Sequence, residues 1–289
     1  ISFNVSFDAS TSSAPPGFFT AFSDATALDE SRFTDPITVN MQVGWGEING
    51  KSLNPGDIGQ SLTNQRGLFT YAQVRGALVN DATTNADAIA VGNLGITDPT
   101  SGAPFVMSNA EAKALGFLAG KATGIDGWVG FSSTAPYTFD PGNRSAPGKY
   151  DFIGLAEHEI SEVMGRYGIT QNGAASGRYS PLDLFRYSSV GSRDLVPQNG
   201  AYFSIDGGRT VINTFSGPGR GDLSDWLGLT PDSYNAFLTL GQQLNVSAGD
   251  ITEMDVIGYN AVPEPGTLGL AGFVCIIVLM LLRRARVER

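Results

Sequence analysis

Apolar and polar residues alternate over positions 1–8, with Ile1, Phe3, Val5 and Phe7 on one side of the chain, the period of a strand with one buried face. Beyond the Pro15 and Pro16 break the period changes. Phe18, Phe22, Ala25 and Ala27 or Leu28 recur at helical spacing and predict a helix over 17–33. Alternation returns at 37–43 as a second strand, followed by a loop over 44–59. Phe69, Val74 and Leu78 predict a helix over 68–81, and Ser108 with Glu111 is a capping signal for a short helix reaching Leu118. Trp128, Val129 and Phe131 form a short strand between Gly127 and Gly130.

The longest helical pattern covers 150–164, where Phe152, Ile153, Ala156, Ile160, Val163 and Met164 recur on one face and Gly165 supplies the stop. The pattern then breaks into hairpin segments at 184–187, 202–205 and 210–215, with Asp206, Gly207 and Gly208 as a turn. A glycine-rich loop at 216–222 leads to a helix near 230–240, and 250–259 closes the body. Strands around one long helix, then a loop-rich second half, predict a two-lobed α+β domain over 1–261.

Composition narrows the function more than the fold. The 289 residues are 42% hydrophobic and 16% charged, which excludes a disordered chain or a coiled coil, and the 37 Gly suit short strands and long loops. A net charge of −10 argues against a nucleic-acid partner, which would need clustered Lys and Arg. Four Arg and one Glu fall in 266–289, so the remaining body is more acidic still. Cys275, the single cysteine, lies in that same tail, so the body forms no internal disulfide. Val262, Pro263, Glu264 and Pro265 precede an uncharged apolar stretch at 266–282, followed by an Arg cluster at 283–286. The stretch suffices for a thin bilayer, and the Arg cluster would stay cytoplasmic. This three-part order over 262–289 resembles the PEP-CTERM sorting signal. The resemblance implies an exported protein whose tail passes through the inner membrane until an exosortase-type enzyme processes it near 263–265.

His158 is the single histidine in the chain, so any imidazole chemistry rests on it. Glu162 lies four residues on, and a helix places both side chains on one face, with Glu159 turned by one residue. The result is H-E-x-x-E. In H-E-x-x-H enzymes the two His hold zinc and the intervening Glu is the general base, and a carboxylate is a legitimate replacement for the second imidazole. Taken alone the pentapeptide is more often a solvated helix face; against that stand the single histidine and its place in the most apolar helix.

Five segments in order, HEISEVMGR at 158–166, SPLDLFRYSS at 180–189, SIDGG at 204–208, GDLSDW at 221–226 and ITEMDVIGYN at 251–260, carry a further resemblance. They resemble a family of exported metalloproteases, related to the metzincin-type zincins, whose members often carry PEP-CTERM tails. His158, Glu159 and Gly165 match the metzincin pattern, while Glu162 and Gly168 depart from it. The resemblance implies a zincin-like catalytic domain and an endopeptidase that uses Zn²⁺ and acts on peptide or protein substrates.

For the third metal ligand the residues favour Asp183, an acid between apolar Leu182 and Leu184 that needs a cation or donors; Asp225 and Asp206 are the alternatives, and a turn cap explains Asp206. The expected metal set is thus His158, Glu162 and Asp183, with Glu159 as base and Tyr187 as a donor to the oxyanion or else a packing residue. Arg166 would pair with Glu162 or Asp183. Met254, before Asp255, is either the floor under the metal or core. Strand 127–132 is the expected edge on which an extended peptide would pair. The acidic loops leave a structural Ca²⁺ open. A different class fits the substitution at 162: a secreted matrix or adhesion protein on a zincin-like scaffold without catalysis.

Overall fold

The computed structural model describes residues 1–168, 177–228 and 230–263; the tail with its apolar stretch, Cys275 and Arg cluster lies outside them. The elements run β1 (Ser2–Phe7), α1 (Pro16–Arg32), β2 (Thr38–Trp45), β3 (Glu47–Ile48), β4 (Lys51–Ser52), β5 (Gly59–Thr63), β6 (Gln65–Phe69), α2 (Tyr71–Asp81) and α3 (Asn85–Gly92). They continue as β7 (Phe105–Ser108), α4 (Asn109–Ala114), β8 (Gly127–Phe131), β9 (Tyr137–Thr138), β10 (Tyr150–Asp151), α5 (Phe152–Met164), β11 (Arg186–Ser189), β12 (Ser192–Arg193), β13 (Tyr202–Phe203), β14 (Asn213–Thr214) and α6 (Ala248–Val256). This is an α+β fold. Among the described residues no helix is long and apolar enough to cross a membrane.

The main sheet has the order β1-β2-β8-β5, with β1, β2 and β8 parallel and β5 antiparallel to β8. Strand β8 is therefore internal. The expectation of an edge at 127–132 is corrected: the free edge beside the long helix is β5, inside the segment that begins where the sequence predicted loop. Gly127 and Gly130 serve close packing instead, since a Cβ at Gly130 would fall 2.8 Å from the Ile48 Cβ.

Helices α1 and α5 share an aromatic core with the sheet. Phe18 packs edge-on to Trp45 at 4.9 Å between ring centroids, and Phe152 meets Phe131 at 4.7 Å and Phe139 at 4.9 Å. Each aromatic residue in such a layer buries a large area, and the edge-to-face geometry adds to it. Every residue of α5 is buried, so this helix runs through the protein rather than along its surface.

Capping explains most boundaries. Thr70 with Gln73, Thr84 with Asp87 and Ser247 with Asp250 form reciprocal boxes at the starts of α2, α3 and α6. The predicted helix over 68–81 loses its first residues because Gln65–Phe69 pairs with Phe105–Ser108. Ser108 caps α4 as expected, accepting from the Glu111 N–H at 2.9 Å, but the helix stops at Ala114 rather than Leu118. The predicted helix near 230–240 does not form. Asp232 takes the Tyr234 N–H at 2.8 Å with its own side chain, and Trp226 and the 234–236 backbone bond to each other instead.

The second half carries an antiparallel sheet of order β12-β11-β13-β14. Its core joins that of the first half through Phe185, Phe203, Phe215 and Trp226, the last two at 4.9 Å. Between the main sheet's free edge and the 221–238 segment lies an open cleft, with α5 as its floor.

Candidate metal centre in an acidic cleft

Helix α5 begins where Asp151 leaves β10. The Asp151 carboxylate does not cap the helix; it accepts from Arg144 Nε and from the Leu244 N–H, both near 2.9 Å, tying the helix start to the second half. Gly165 ends the helix at φ +127°, a conformation open to glycine, with Glu111 packed so close that a Cβ would fall 2.8 Å from its carboxylate oxygen. Between these fixed ends His158, Glu159 and Glu162 reach the cleft.

The cleft has a volume of about 490 Å³. One wall is the β4–β5 loop and β5, from Asn54 to Ser61; the other is formed by 221–225 and 235–238. Leu155 of α5 and, just before the helix, Tyr150 complete the floor beside His158, Glu159 and Glu162.

His158 has its Nδ1 2.8 Å from the Ser233 carbonyl. A carbonyl only accepts, so the proton is on Nδ1 and Nε2 keeps its lone pair for the cleft. Burial, reinforced by the Arg166 guanidinium, pushes the imidazole down to about 4, so it is neutral at physiological pH. Its Nε2 stands 3.7 Å from Glu162 Oε1 and 3.5 Å from Asp225 Oδ1. One ligand atom from each of His158, Glu162 and Asp225 lies within 4.8 Å of the other two, so this group could hold a metal ion.

Each acid of the set is held from behind. Ser61 Oγ donates to Glu162 Oε2 at 2.6 Å, and Arg166 Nη1 donates to Asp225 Oδ1 at 2.7 Å. Arg166 is wholly buried. It also donates from Nε to Ser161 Oγ at 2.7 Å, lies 3.7 Å from Glu162 Oε1, and covers the Tyr234 ring at 4.4 Å. Although burial opposes its charge, Asp225, Glu162 and Glu253 keep the guanidinium protonated. Burial raises Glu162 to about 7 and Asp225 to about 6, against the pull of Arg166 on both.

Glu159 faces β5. Burial, with repulsion from Glu162 and Asp225, raises its carboxyl well above the ordinary range. A Cβ on Gly59 would run into its Oε1 and come within 2.8 Å of a Leu155 methyl, so the strand can approach the helix this closely only with glycine there.

Asp183 is not brought to this cluster. It is the third residue of a capping box, accepting from the Ser180 N–H at 2.7 Å and Ser180 Oγ at 3.2 Å at the start of the 3₁₀ helix Pro181–Phe185. That bonding accounts for an acid buried between two leucines, and Asp225, weighed as an alternative, is the acid that stands with His158 and Glu162. Tyr187 likewise lies away from the cleft, under Gly208 in β11 with Arg193 at 5.3 Å from its ring, and serves packing. The tyrosine on the cleft floor is Tyr150. Asp206 takes the Arg209 and Thr210 N–H groups within its turn. Met254 is core, and Asp255 bonds Thr84 and the Ala261 N–H. Arg166 pairs with Glu162 as expected and with Asp225 in place of Asp183.

Ser233 and Ser61, which orient His158 and Glu162, carry no sequence signal, the first because it acts through its backbone carbonyl. Asp225 had one in GDLSDW. No family model, curated protein or solved structure matches this chain.

Proposed function

We propose that this protein is a metal-dependent endopeptidase of zincin-like architecture, with His158, Glu162 and Asp225 as the metal ligands and Glu159 as general base. The observation that carries the reading is one imidazole nitrogen and two carboxylate oxygens converging on the floor of an open cleft, with a further buried carboxylate beside them. The donor set fits a divalent cation. The imidazole is neutral with its far N–H anchored on a carbonyl, as ligating histidines are, and mutually repelling buried acids gain from a positive ion. Nitrogen with two oxygens at one tight site suits Zn²⁺, with Mn²⁺ the nearest competitor.

When bound, the ion would polarise the scissile carbonyl and acidify the attacking water. The chain's own residues do the rest. Glu159, with neither oxygen engaged in a hydrogen bond by a described residue, accepts the proton of that water and returns it to the leaving amine. The free edge of β5 offers its backbone to an extended peptide, which would lie along the cleft over Glu159. Gly59→Ala should push Glu159 out of line and lower kcat about a hundredfold, the scale expected of an ångström-sized misplacement, with the melting temperature little changed. Loss of cooperative unfolding in this variant would show instead that the contact is structural.

The body is proposed to act outside the cytoplasm, delivered by the sorting tail and released or surface-attached after exosortase-type processing at the inner membrane. The PEP-CTERM order of the tail supports this.

One observation favours the alternative, a secreted matrix or adhesion protein: the ion pair between Arg166 and Asp225 and the Ser61 bond to Glu162 satisfy the acids in part without any ion. Metal analysis of the purified body, with protease assays before and after chelation, separates the two. The peptidase reading expects one equivalent of metal, activity lost on chelation and restored by Zn²⁺, Asp225→Asn weakened in metal binding, and Asp183→Asn retaining it. Metal-free protein that neither takes up Zn²⁺ nor cleaves would leave the matrix reading standing.

A further inference from the structure

Apart from His158 and Tyr150, the ionisable side chains that line the cleft are all carboxylic acids: Asp57, Glu159, Glu162, Asp222 and Asp225. Three of these are spoken for under the reading above, two as ligands and one as base. Asp57 and Asp222 are not. They stand on opposite walls, Asp57 in the β4–β5 loop and Asp222 in the turn that delivers Asp225, whose N–H bonds the Asp222 carbonyl at 3.2 Å. Asp57 accepts from the Asn54 amide at 3.0 Å, a bond that orients it without neutralising it. Arg166 is buried behind the two acids and committed to them, Arg220 stands two residues before Asp222 in the same turn, and no described lysine or arginine lines the cleft itself.

Beside Asp222 is an aromatic ring in an unusual setting. Phe237 lines the cleft yet is 63% exposed. The ring leans over Gly221: its Cζ lies 3.6 Å from where a Gly221 Cβ would be, next in sequence to Asp222. An exposed aromatic residue and an aspartate in the same cleft wall suit an organic cation, since the ring quadrupole and the acid attract the same group. A guanidinium matches it best, being planar, weakly hydrated and able to stack and pair at once.

We infer that the cleft selects peptides with a basic side chain, arginine foremost, within a residue or two of the scissile bond, its cationic head placed on Phe237 and between Asp222 and Asp57. This rests on the peptidase reading. Phe237 and Asp222 are specificity residues in it, remote from the proton transfers. A lysine would be accepted less well because an ammonium is more strongly hydrated and does not stack.

The test is cleavage-site profiling by mass spectrometry, using Zn²⁺-loaded body and a denatured, sequence-diverse protein digest as substrate. Wild type should show Arg and Lys enriched at one position beside the cut. In a matched pair of quenched peptides differing by Arg against norleucine there, kcat/KM should favour Arg. Asp222→Asn and Phe237→Leu should each reduce that ratio about fivefold, the scale of one exposed cation–π or ion-pair contact. Cleavage with no basic preference, or a preference that both variants leave intact, overturns this inference alone. Metal-loaded protein that cuts no peptide in the digest overturns the peptidase reading and this inference with it.

Discussion

Glu159→Gln is expected to reduce peptide hydrolysis by about 10²–10⁴-fold, the usual contribution of a positioned general base, while the metal content stays that of wild type. The amide has the shape of the carboxyl and fits against Gly59 and Leu155, where the glutamate now packs, but it cannot take a proton. His158→Ala should behave differently. It removes the nitrogen donor of the cluster and strips the Ser233 carbonyl of its partner, so metal and activity are lost together. Metal stoichiometry measured beside turnover separates the roles. Near-wild-type turnover in Glu159→Gln would place the base elsewhere, and full metal occupancy in His158→Ala would remove the histidine from the ligand set.

Arg166→Met should destabilise the metal-free protein by about 3–5 kcal/mol, because it leaves buried Asp225 and Glu162 without their counter-charge. Methionine fills comparable volume, so the loss is chiefly electrostatic. A divalent ion supplies the same compensation from the other side, and saturating Zn²⁺ should therefore return a good part of the lost stability, more than it adds to wild type. Urea titrations with and without Zn²⁺ read this directly. Equal stability of variant and wild type without metal would show that Arg166 is not what holds the acids ionised. Equal gains from Zn²⁺ would show that the ion does not sit against them.

Much of this arrangement is legible in the sequence because it is local. The helix carrying His158, Glu159 and Glu162 has an apolar period and a glycine stop, and both survive as α5. The alternating stretches 1–8 and 37–43 pair in parallel as β1 and β2; Phe3 and Val5 of β1 are half-buried, whereas β2 is covered on both faces. The errors come from non-local choices. Asp183 reads as a ligand because apolar neighbours imply burial and a buried acid needs partners; Ser180 is one of them, at the spacing that makes a cap of Ser108 and Glu111. The helix expected near 230–240 gives way because the Asp232 side chain takes the Tyr234 N–H and Asn235 bridges to Trp226. The edge strand is hard to read because Gly59–Thr63 has only Thr63 among the β-branched and aromatic residues that mark strands, and whether a strand is edge or interior depends on partners that its own residues do not name. The exchange of Asp183 for Asp225 changes where the site comes from while keeping its chemistry, a nitrogen and two carboxylates.

That origin has a kinetic side. His158 and the carbonyl that orients it are 75 residues apart, and Arg166 and Asp225 are 59 apart, so the centre exists only once a long loop has closed. Closing such a loop costs entropy before any contact rewards it, which makes the docking of 221–236 onto α5 a late event in folding. Trp226, adjacent to Asp225, lodged against Phe215 and bonded to Asp250, is placed to report that docking through its fluorescence. A nascent or unfolded chain can thus display the complete H-E-x-x-E motif and still have nowhere to put an ion, and a chain ending at residue 220 would keep the motif for good without ever acquiring the centre.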